Sequence, residues 1–175
     1  MDGEVEANRQ RSRRLHEEVF GRGNYGAADE ILAEDAVSHG PGGPPVLGTA
    51  AIKRQAALLR TAFPDMTVEL SDQFGFEDRV ISRWSASGTH SGPLNMPAGA
   101  LPPSGGRIAF DEFRIDRHAA GRIVEAWFMP DRLTLWQQLG LLPAPPGPAL
   151  PPSIPRLTPP RRRAGAAQEP GRRRP

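Results

Sequence analysis

Four side chains in the second half of the chain could together perform acid–base chemistry, the first three as proton carriers and the last as an electrostatic stabiliser: Asp131, His90, Glu125 and Arg114. Asp131 follows a proline at the end of an apolar run, where a carboxylate beside apolar surface can have a raised pKa and act as a general base. An Asp shortly before Leu-Thr-Leu-Trp is also a typical helix N-cap, whose carboxylate accepts the backbone N–H of Thr134. The sequence therefore predicts an acid–base role for Asp131, a capping role, or both.

The four histidines divide into two pairs. His90 lies at the predicted end of a strand, where an imidazole can move protons near neutral pH or hold a substrate carbonyl. A hydrogen-bonded structural histidine fits that position equally well. His39 precedes a loop rich in Gly and Pro and could face the same cavity. His16, on a polar helix face, and His118, at a hairpin tip, are expected at the surface.

Glu125 and Trp127 lie two residues apart on a predicted strand and therefore share one of its faces. If that face is concave, Glu125 is an acid–base partner and Trp127 a wall for a flat substrate. Otherwise Glu125 pairs with Arg114 or Arg83, and Trp127 belongs to the core. Arg114 could stabilise an enolate-like oxyanion or bind a substrate carboxylate, or it could form a cross-strand ion pair on the outer face. The side chains expected to line the pocket are His39, Trp84, Met96, Trp127 and Phe128.

Several kinds of site are excluded by residue type and spacing. The chain has no cysteine, which rules out disulfides, thiolate nucleophiles and cysteine-based metal sites. The histidines do not fall at the spacing of metal ligands, such as His-x-x-x-His. There is neither a glycine-rich phosphate-binding motif nor a Gly-x-Ser-x-Gly motif around a nucleophilic serine. We therefore expect acid–base chemistry with no metal and no other cofactor.

Helices must occupy the first third of the chain, because apolar residues recur there at helical spacing. The first helix is predicted over residues 6–22 and ends at a pair of glycines. A short second helix is predicted over 24–32 and a third over 49–63. Asn24 and Thr49 are the predicted N-caps of the second and third helices.

Strands are predicted in the second half, where apolar and polar residues alternate. A tight hairpin with Gly121 at a positive φ joins the last two strands. Residues 92–106 contain several prolines and glycines and form a loop, either a lid over the pocket or a long hairpin connection. Three helices before a mainly antiparallel sheet predict an α+β fold, with helices packed on a concave sheet face around a pocket. A short amphipathic C-terminal helix is predicted to begin after Asp131. The predicted strands are 36–39, 66–70, 79–89, 108–117 and 122–129.

Composition divides the chain at about residue 142. Residues 143–175 hold eleven of the 20 prolines and seven arginines against one glutamate, so the whole-chain charge of +2 leaves −4 for residues 1–142. We expect 1–142 to form one domain and 143–175 to be a disordered basic tail. The tail is most simply a solvated extension, and weak contact with nucleic acid or another anionic surface is the alternative. No apolar run could span a bilayer and the N-terminus is charged, so we expect a cytoplasmic protein with no membrane contact.

Several short motifs, taken in order, resemble a known family. They are Phe63-Pro64-Asp65, Arg83-Trp84, Ser87 to Gly92, Gly121 to Trp127, Asp131, and Gln137 to Gly140. Together they are similar to the SnoaL-like polyketide cyclases, also called ester cyclases, of the nuclear transport factor 2-like and ketosteroid isomerase-like superfamily. The resemblance implies a cone of helices against a curved antiparallel sheet, an apolar pocket, and a homodimer formed through the sheet. It also implies intramolecular aldol condensation by an Asp, with no metal or cofactor.

The chain departs from these cyclases at two positions. Their acid–base Asp, three residues before the Pro-Asp ending, corresponds to Phe128, and their neighbouring His corresponds to Arg114. We therefore expect cofactor-independent cyclisation, isomerisation or hydrolysis of an apolar, polyketide-like substrate by a different polar set. The alternative is a non-catalytic module of the same fold that binds a small ligand or dimerises. Two or more titratable groups meeting in an apolar cavity would favour the enzyme.

Overall fold

The computed structural model describes residues 2–96 and 99–143. Within them the chain has the predicted order of helices followed by strands. The predicted tail, apart from Pro143, lies outside the described residues, so its disorder and its anionic contacts stay predictions. No helix in the described part of the chain is long and apolar enough to cross a membrane.

Four helices form where the apolar spacing predicts them. Their bounds are α1 Asp2–Arg14, α2 Ala27–Ile31, α3 Thr49–Ala62 and α4 Arg132–Gln138. Helix α1 continues without a break into a π-helical segment, Leu15–Gly21. Ion pairs one turn apart, such as Arg14 with Glu18 at 2.7 Å, support this long first helix on its solvent side.

Two predicted caps are wrong. The N-cap of α3 is Gly48 at a φ of 81°, and Thr49 is instead the first helical residue, whose hydroxyl donates to the carbonyl of Ala33 at 2.7 Å. The N-cap of α2 is Gly26, with no side-chain cap, while the Asn24 amide donates to Glu18 at 3.2 Å. In both cases the polar side chain forms a tertiary contact instead of closing its own helix.

Six strands form one sheet, in the order β2-β1-β8-β7-β4-β3. Strand β1 runs parallel to β8, and every other pairing is antiparallel. Residues 92–106, which are predicted to form a loop, contain a separate hairpin of β5 and β6. This hairpin confirms neither the predicted lid nor the predicted long hairpin connection. The strands are β1 Leu32–His39, β2 Val46–Leu47, β3 Thr67–Phe76, β4 Arg79–Thr89, β5 Leu94–Met96, β6 Gly99–Leu101, β7 Arg107–Ala119 and β8 Arg122–Pro130.

Strands β7 and β8 turn through the predicted tight hairpin. Ala120 and Gly121 have φ values of 48° and 73°, as a type I′ hairpin turn requires of its two central residues. The register shifts by one residue at a bulge between Arg117 and His118, and beyond it Arg114 pairs with Phe128 and Glu112 pairs with Pro130. These four inward positions are therefore neighbours on the helix-covered face of the sheet.

The helices cover one face of the sheet and leave the other exposed. Leu15 and Val19 pack with Ile31, Ile52 and Ile123 in one apolar core, and a second core forms around Phe63, Met66 and Ile108. Because side chains alternate along a strand, each strand has an inner row facing the helices and an outer row facing away. This arrangement confirms the predicted α+β fold and encloses a cavity.

Candidate active site

A cavity of about 410 Å³ lies between the helices and the inner face of the sheet. That volume is within the range of small-molecule sites. Its wall is largely aromatic and aliphatic, and its charged members are His16, Glu112, Arg114 and Arg132. Such a cavity can enclose an apolar molecule while presenting a few polar groups to it.

His16 and Glu112 form a hydrogen-bonded pair in the cavity wall. The Nε2 atom of His16 lies 3.2 Å from Oε1 of Glu112, and both side chains are largely buried. The imidazole also stacks on the indole of Trp84, with centroids 4.3 Å apart and planes 8° from parallel. The Trp84 Nε1–H donates to Ser82 Oγ at 2.8 Å, so the ring beneath His16 is itself fixed. The imidazole is therefore held on its face and on its edge.

His16 and Phe20 belong to the π-helical segment and line the cavity together. A π-helical turn is frequent at functional sites. The two residues are four positions apart, which puts them on one side of the helix, and their ring centroids lie 5.5 Å apart.

Arg114 lies deep in the cavity and is held from behind. Its Nε–H donates to Oδ1 of Asp116 at 2.6 Å, and the two side chains are 4% and 0% exposed. Nε is the guanidinium atom that bonds to a described residue, which leaves the two Nη groups directed away from Asp116. A buried, oriented guanidinium of this kind can bind a carbonyl oxygen or an oxyanion.

Phe128 fills the inner position beside Arg114 and packs against Gly40. A Cβ added to Gly40 would lie 2.5 Å from Cζ of the Phe128 ring, so a side chain at position 40 is excluded while the ring is there. Four of the residues predicted for the site line the cavity: Arg114, Trp84, Met96 and Phe128.

Glu125, His39 and Trp127 do not line the cavity but lie on the outer face of the sheet. Glu125 Oε1 lies 2.9 Å from His39 Nε2, and its Oε2 accepts from Arg117 at 2.9 Å. The hydrogen bond with His39, and to a smaller extent that with Arg117, holds the pKa of the Glu125 carboxyl below its usual value. The expected partners Arg114 and Arg83 are corrected to His39 and Arg117, because the register turns Glu125 away from Arg114.

Asp131 caps α4 outside the cavity. Its Oδ1 accepts the backbone N–H of Thr134 at 3.0 Å and its Oδ2 accepts the Thr134 hydroxyl at 2.6 Å, which confirms the capping role. Hydrogen bonds to the ionised form lower the pKa of Asp131, so the expected raised pKa is wrong. The carboxylate is the N-cap of α4, and its acid–base role stays a prediction.

His90 is fully buried away from the cavity. Its Nδ1 accepts the backbone N–H of Ser104 at 3.2 Å and lies 3.1 Å from that residue's hydroxyl, and its ring packs on Phe63. This environment favours the structural histidine over the proton carrier, because the ring connects the end of β4 to the segment before β7.

The surface assignments of His16 and His118 are wrong, because both are 4% exposed. His118 is the last inward residue of β7, and its Nε2 lies 3.1 Å from the Ser12 hydroxyl of α1. Burial lowers the pKa of His118 below its ordinary 6.5, while the charge of Asp116 opposes that shift. Helix α1 covers the strand end that the sequence indicated as a hairpin tip.

Sequence reasoning missed His16 and Glu112 as site residues. For Glu112 a signal existed, since it lies two residues before Arg114 and a strand places such positions on one face. For His16 its polar side chain indicated the surface, although it lies four residues after Ser12 and three before Val19, both of which are buried on the same side of the helix. Within the described residues, no group of three or more His, Cys, Asp or Glu is arranged to hold a metal ion.

The geometry of the cavity does not by itself identify the protein family, but comparison with known families does. The family model for SnoaL-like polyketide cyclases matches residues 10–139. The chain belongs to the SnoaL-like polyketide cyclase family. The match includes every charged residue of the cavity wall, from His16 to Arg132. No curated protein sequence matches this SnoaL-like chain.

Solved structures agree with this family and fold. IdmH, a proposed polyketide cyclase from Streptomyces antibioticus, has 30% identity and a TM-score of 0.65, over 76% of this chain and 98% of that one. A proposed SnoaL-like polyketide cyclase from Jannaschia sp. CCS1 has a TM-score of 0.71 at 22% identity, over 81% of this chain and 95% of that one. AclR, a proposed hydroxylase from Streptomyces galilaeus, has 24% identity and a TM-score of 0.65, over 79% and 85% of the two chains. The last two likenesses bear on the fold alone.

Proposed function

We propose that this SnoaL-like protein is an enzyme that cyclises, isomerises or hydrolyses a small, apolar, oxygenated molecule, using the acid–base chemistry of its own side chains. The proposal is based on the His16–Glu112 pair in the wall of an apolar cavity. Glu112 lies two residues before Arg114 on the same strand, β7. Titratable groups that meet in an apolar cavity favour an enzyme over a passive ligand-binding module.

Glu112 is the proposed base. Its carboxylate lies at the cavity wall and can take a proton from a carbon next to a carbonyl group. His16 is hydrogen-bonded to the same carboxylate and can hold the proton in the next step or return it at a different carbon. Return to a second carbon gives isomerisation, and attack of the resulting carbanion on a second carbonyl closes a ring.

Arg114 is the proposed electrostatic stabiliser. It shares the inner row of β7 with Glu112, about 7 Å away between Cα atoms, the distance spanned by two residues of a strand. Two long side chains at this spacing can reach adjacent atoms of one substrate, a C–H at Glu112 and the carbonyl oxygen at Arg114. Because Asp116 already orients the guanidinium, little reorganisation is needed as negative charge develops on that oxygen.

A simple ketone tests the proton-transfer step without knowledge of the natural substrate. We expect the protein in D₂O to exchange the α-protons of 1-tetralone, a bicyclic ketone, faster than buffer does, followed by ¹H NMR. Glu112→Gln should lower the catalysed rate by about 10²- to 10⁴-fold, the usual contribution of a general base. Arg114→Met should lower it as well, because the developing enolate loses its cation.

The outer face provides a matched control, because His39 and Glu125 form a second His–Glu pair with nearly the same geometry. Glu125→Gln removes the same charge from an equivalent hydrogen bond outside the cavity and should leave exchange within about twofold of wild type. Equal losses in Glu125→Gln and Glu112→Gln would contradict the proposal. So would the absence of exchange above buffer in the wild-type protein, or full activity in a His16→Asn, Glu112→Gln double variant.

We also propose a homodimer formed through the outer face of the sheet. Large apolar side chains of β3, β4, β7 and β8 are more than one-third exposed on that face. An exposed apolar patch of this extent marks an interaction surface. The same face of a second copy is a self-complementary partner under two-fold symmetry. The exposed apolar side chains of this face are Phe74, Phe76, Ile81, Phe113, Ile115 and Met129.

The dimer is tested by the mass in solution. Phe113 is 58% exposed near the middle of the outer face, and Phe113→Arg should convert a dimer into a monomer in size-exclusion chromatography with light scattering. Leu133 on α4 is 59% exposed but lies off the sheet, so Leu133→Arg should remain dimeric. A monomeric wild type, or equal effects of the two variants, would contradict this assignment.

A further inference from the structure

An arginine lies at the mouth of the cavity and forms no ion pair within the part of the chain that the structure describes. Arg132, the first residue of α4, is half-buried and lines the cavity. Its Nη1 reaches over the loop after β1, close enough that a Cβ on Gly42 would lie 3.4 Å away. Among the ion pairs of the described residues none includes Arg132, whereas the deeper Arg114 is paired with Asp116.

The charged groups of the cavity lie in a row. In the register of β7 with β8, Arg114 is opposite Phe128 and Glu112 is opposite Pro130, and Arg132 follows two residues after Pro130. The order from the interior to the mouth is therefore Arg114, Glu112, Arg132. The strand positions from Phe128 to Pro130 span about 7 Å, and α4 begins with Arg132 just beyond them. A molecule of two fused rings spans the strand part of this row.

We infer, on the basis of the function proposed above, that the substrate is an amphipathic carboxylic acid whose carboxylate binds Arg132 at the mouth. Its apolar ring system lies along the aromatic wall, past Glu112, and its carbonyl group reaches Arg114. An arginine fork fits a carboxylate with two parallel hydrogen bonds. Arg132 is the residue that selects the free acid over an ester or amide of the same shape.

Charge favours the free acid at the mouth more than in the interior. Asp116 balances Arg114, so an anion bound there gains less net attraction than one bound at the unpaired Arg132. Glu112, between the two, would repel a carboxylate placed in the middle of the row. An anionic group is therefore favoured at the mouth, and an uncharged carbonyl fits the deep position.

Equilibrium binding of two probes of the same shape tests this selection. The full-length protein is titrated with 2-naphthoate and with methyl 2-naphthoate by isothermal titration calorimetry. We expect the acid to bind about five- to tenfold more tightly than the ester, as a partly exposed charge pair allows. Arg132→Met keeps an unbranched apolar stem without the guanidinium and should abolish this preference.

Arg107→Met is the matched control, because Arg107 is exposed at the start of β7 and does not line the cavity. It changes the net charge equally and should keep the preference for the acid. Equal affinities of acid and ester in the wild type, no binding of either probe, or equal effects of the two variants would overturn the assignment. The exchange of 1-tetralone, which has no carboxylate, depends on the acid–base function alone, so the two proposals fail separately.

Discussion

Replacing Asp116 by alanine tests whether the buried ion pair positions Arg114. Asp116 is 0% exposed and accepts from Nε of Arg114 at 2.6 Å. Removing the carboxylate leaves a buried guanidinium with no opposite charge against it. Asp116→Ala should therefore destabilise the protein far more than the loss of one hydrogen bond would.

The magnitude follows from the environment of the pair. Removal of one partner from a buried ion pair costs about 3–5 kcal/mol. One side of the Arg114 guanidinium faces the cavity, which water can enter, so the expected loss is at the lower end, about 3 kcal/mol. For a domain of this size such a loss lowers the melting temperature by roughly 6–12 °C.

The assay is urea and thermal unfolding followed by circular dichroism, with a matched exposed pair as the control. Glu6 and Arg9 on α1 lie 2.8 Å apart, with side chains 51% and 40% exposed. Because solvent screens an exposed pair, Glu6→Ala should leave the unfolding midpoint almost unchanged. The Arg114→Met, Asp116→Ala double variant should be less destabilised than the sum of its two single variants.

Two results would refute this reasoning. If Asp116→Ala and Glu6→Ala were equally mild, burial would not strengthen the dependence of Arg114 on its partner. If the double variant were destabilised by the full sum, the two side chains would not be energetically coupled, and Asp116 would not position Arg114.

Three further changes have defined outcomes. Burial lowers the pKa of His118, so just below pH 6.5 the unfolded state binds more protons than the folded state and the free energy of unfolding falls as pH falls. One proton contributes up to about 1.4 kcal/mol per pH unit. His118→Gln should therefore flatten the dependence of the free energy of unfolding on pH between pH 7 and 5. Asp131→Ala should lower the melting temperature by roughly 3–5 °C through loss of the N-cap, with 1-tetralone exchange retained. A Cβ at Gly92 would overlap the carbonyl oxygen of Thr61, so Gly92→Ala should cost about 1–3 kcal/mol in urea unfolding.

Each of these changes has a control. Asp131→Asn, which keeps a capping oxygen, should unfold near the wild-type temperature, and a loss equal to that of alanine would argue against capping. Gly43 has nothing within 4 Å of an added Cβ, so Gly43→Ala should be mild, and an equal cost at both glycines would contradict the steric reason. An unchanged slope in His118→Gln would mean that other groups dominate the acid response.

The period of the strands predicted which residues share a face but not which face is the inner one. Glu125 and Trp127 do lie together, as expected, but on the outer side. Both faces of β8 carry large apolar residues, with Phe128 inside and Met129 outside, so the pattern alone could not choose between them. The register with β7 decides it, and that depends on contacts distant in sequence.

The N-terminal half of the site could not be predicted for a different reason. The apolar spacing predicted the first helix and its core residues Leu15 and Val19, both of which are buried. It assumed the α-helical angle throughout, whereas residues 15–21 adopt the π-helical one, and no residue type in the segment indicates that change. His16 lies on the border of the apolar stripe, and its polar side chain indicated a surface position although the helix buries it against Trp84.

The packing of Phe128 on Gly40 couples two distant positions in evolution. While an aromatic ring fills the inner site of β8, position 40 can hold only glycine. If the ring is exchanged for a short carboxylate, which the cyclases resembled here have at that point, the constraint on position 40 disappears and the vacated volume favours a side chain there. The two positions should therefore vary together among homologues, and a variant that restores the acid alone should leave a void that a second substitution at position 40 repairs.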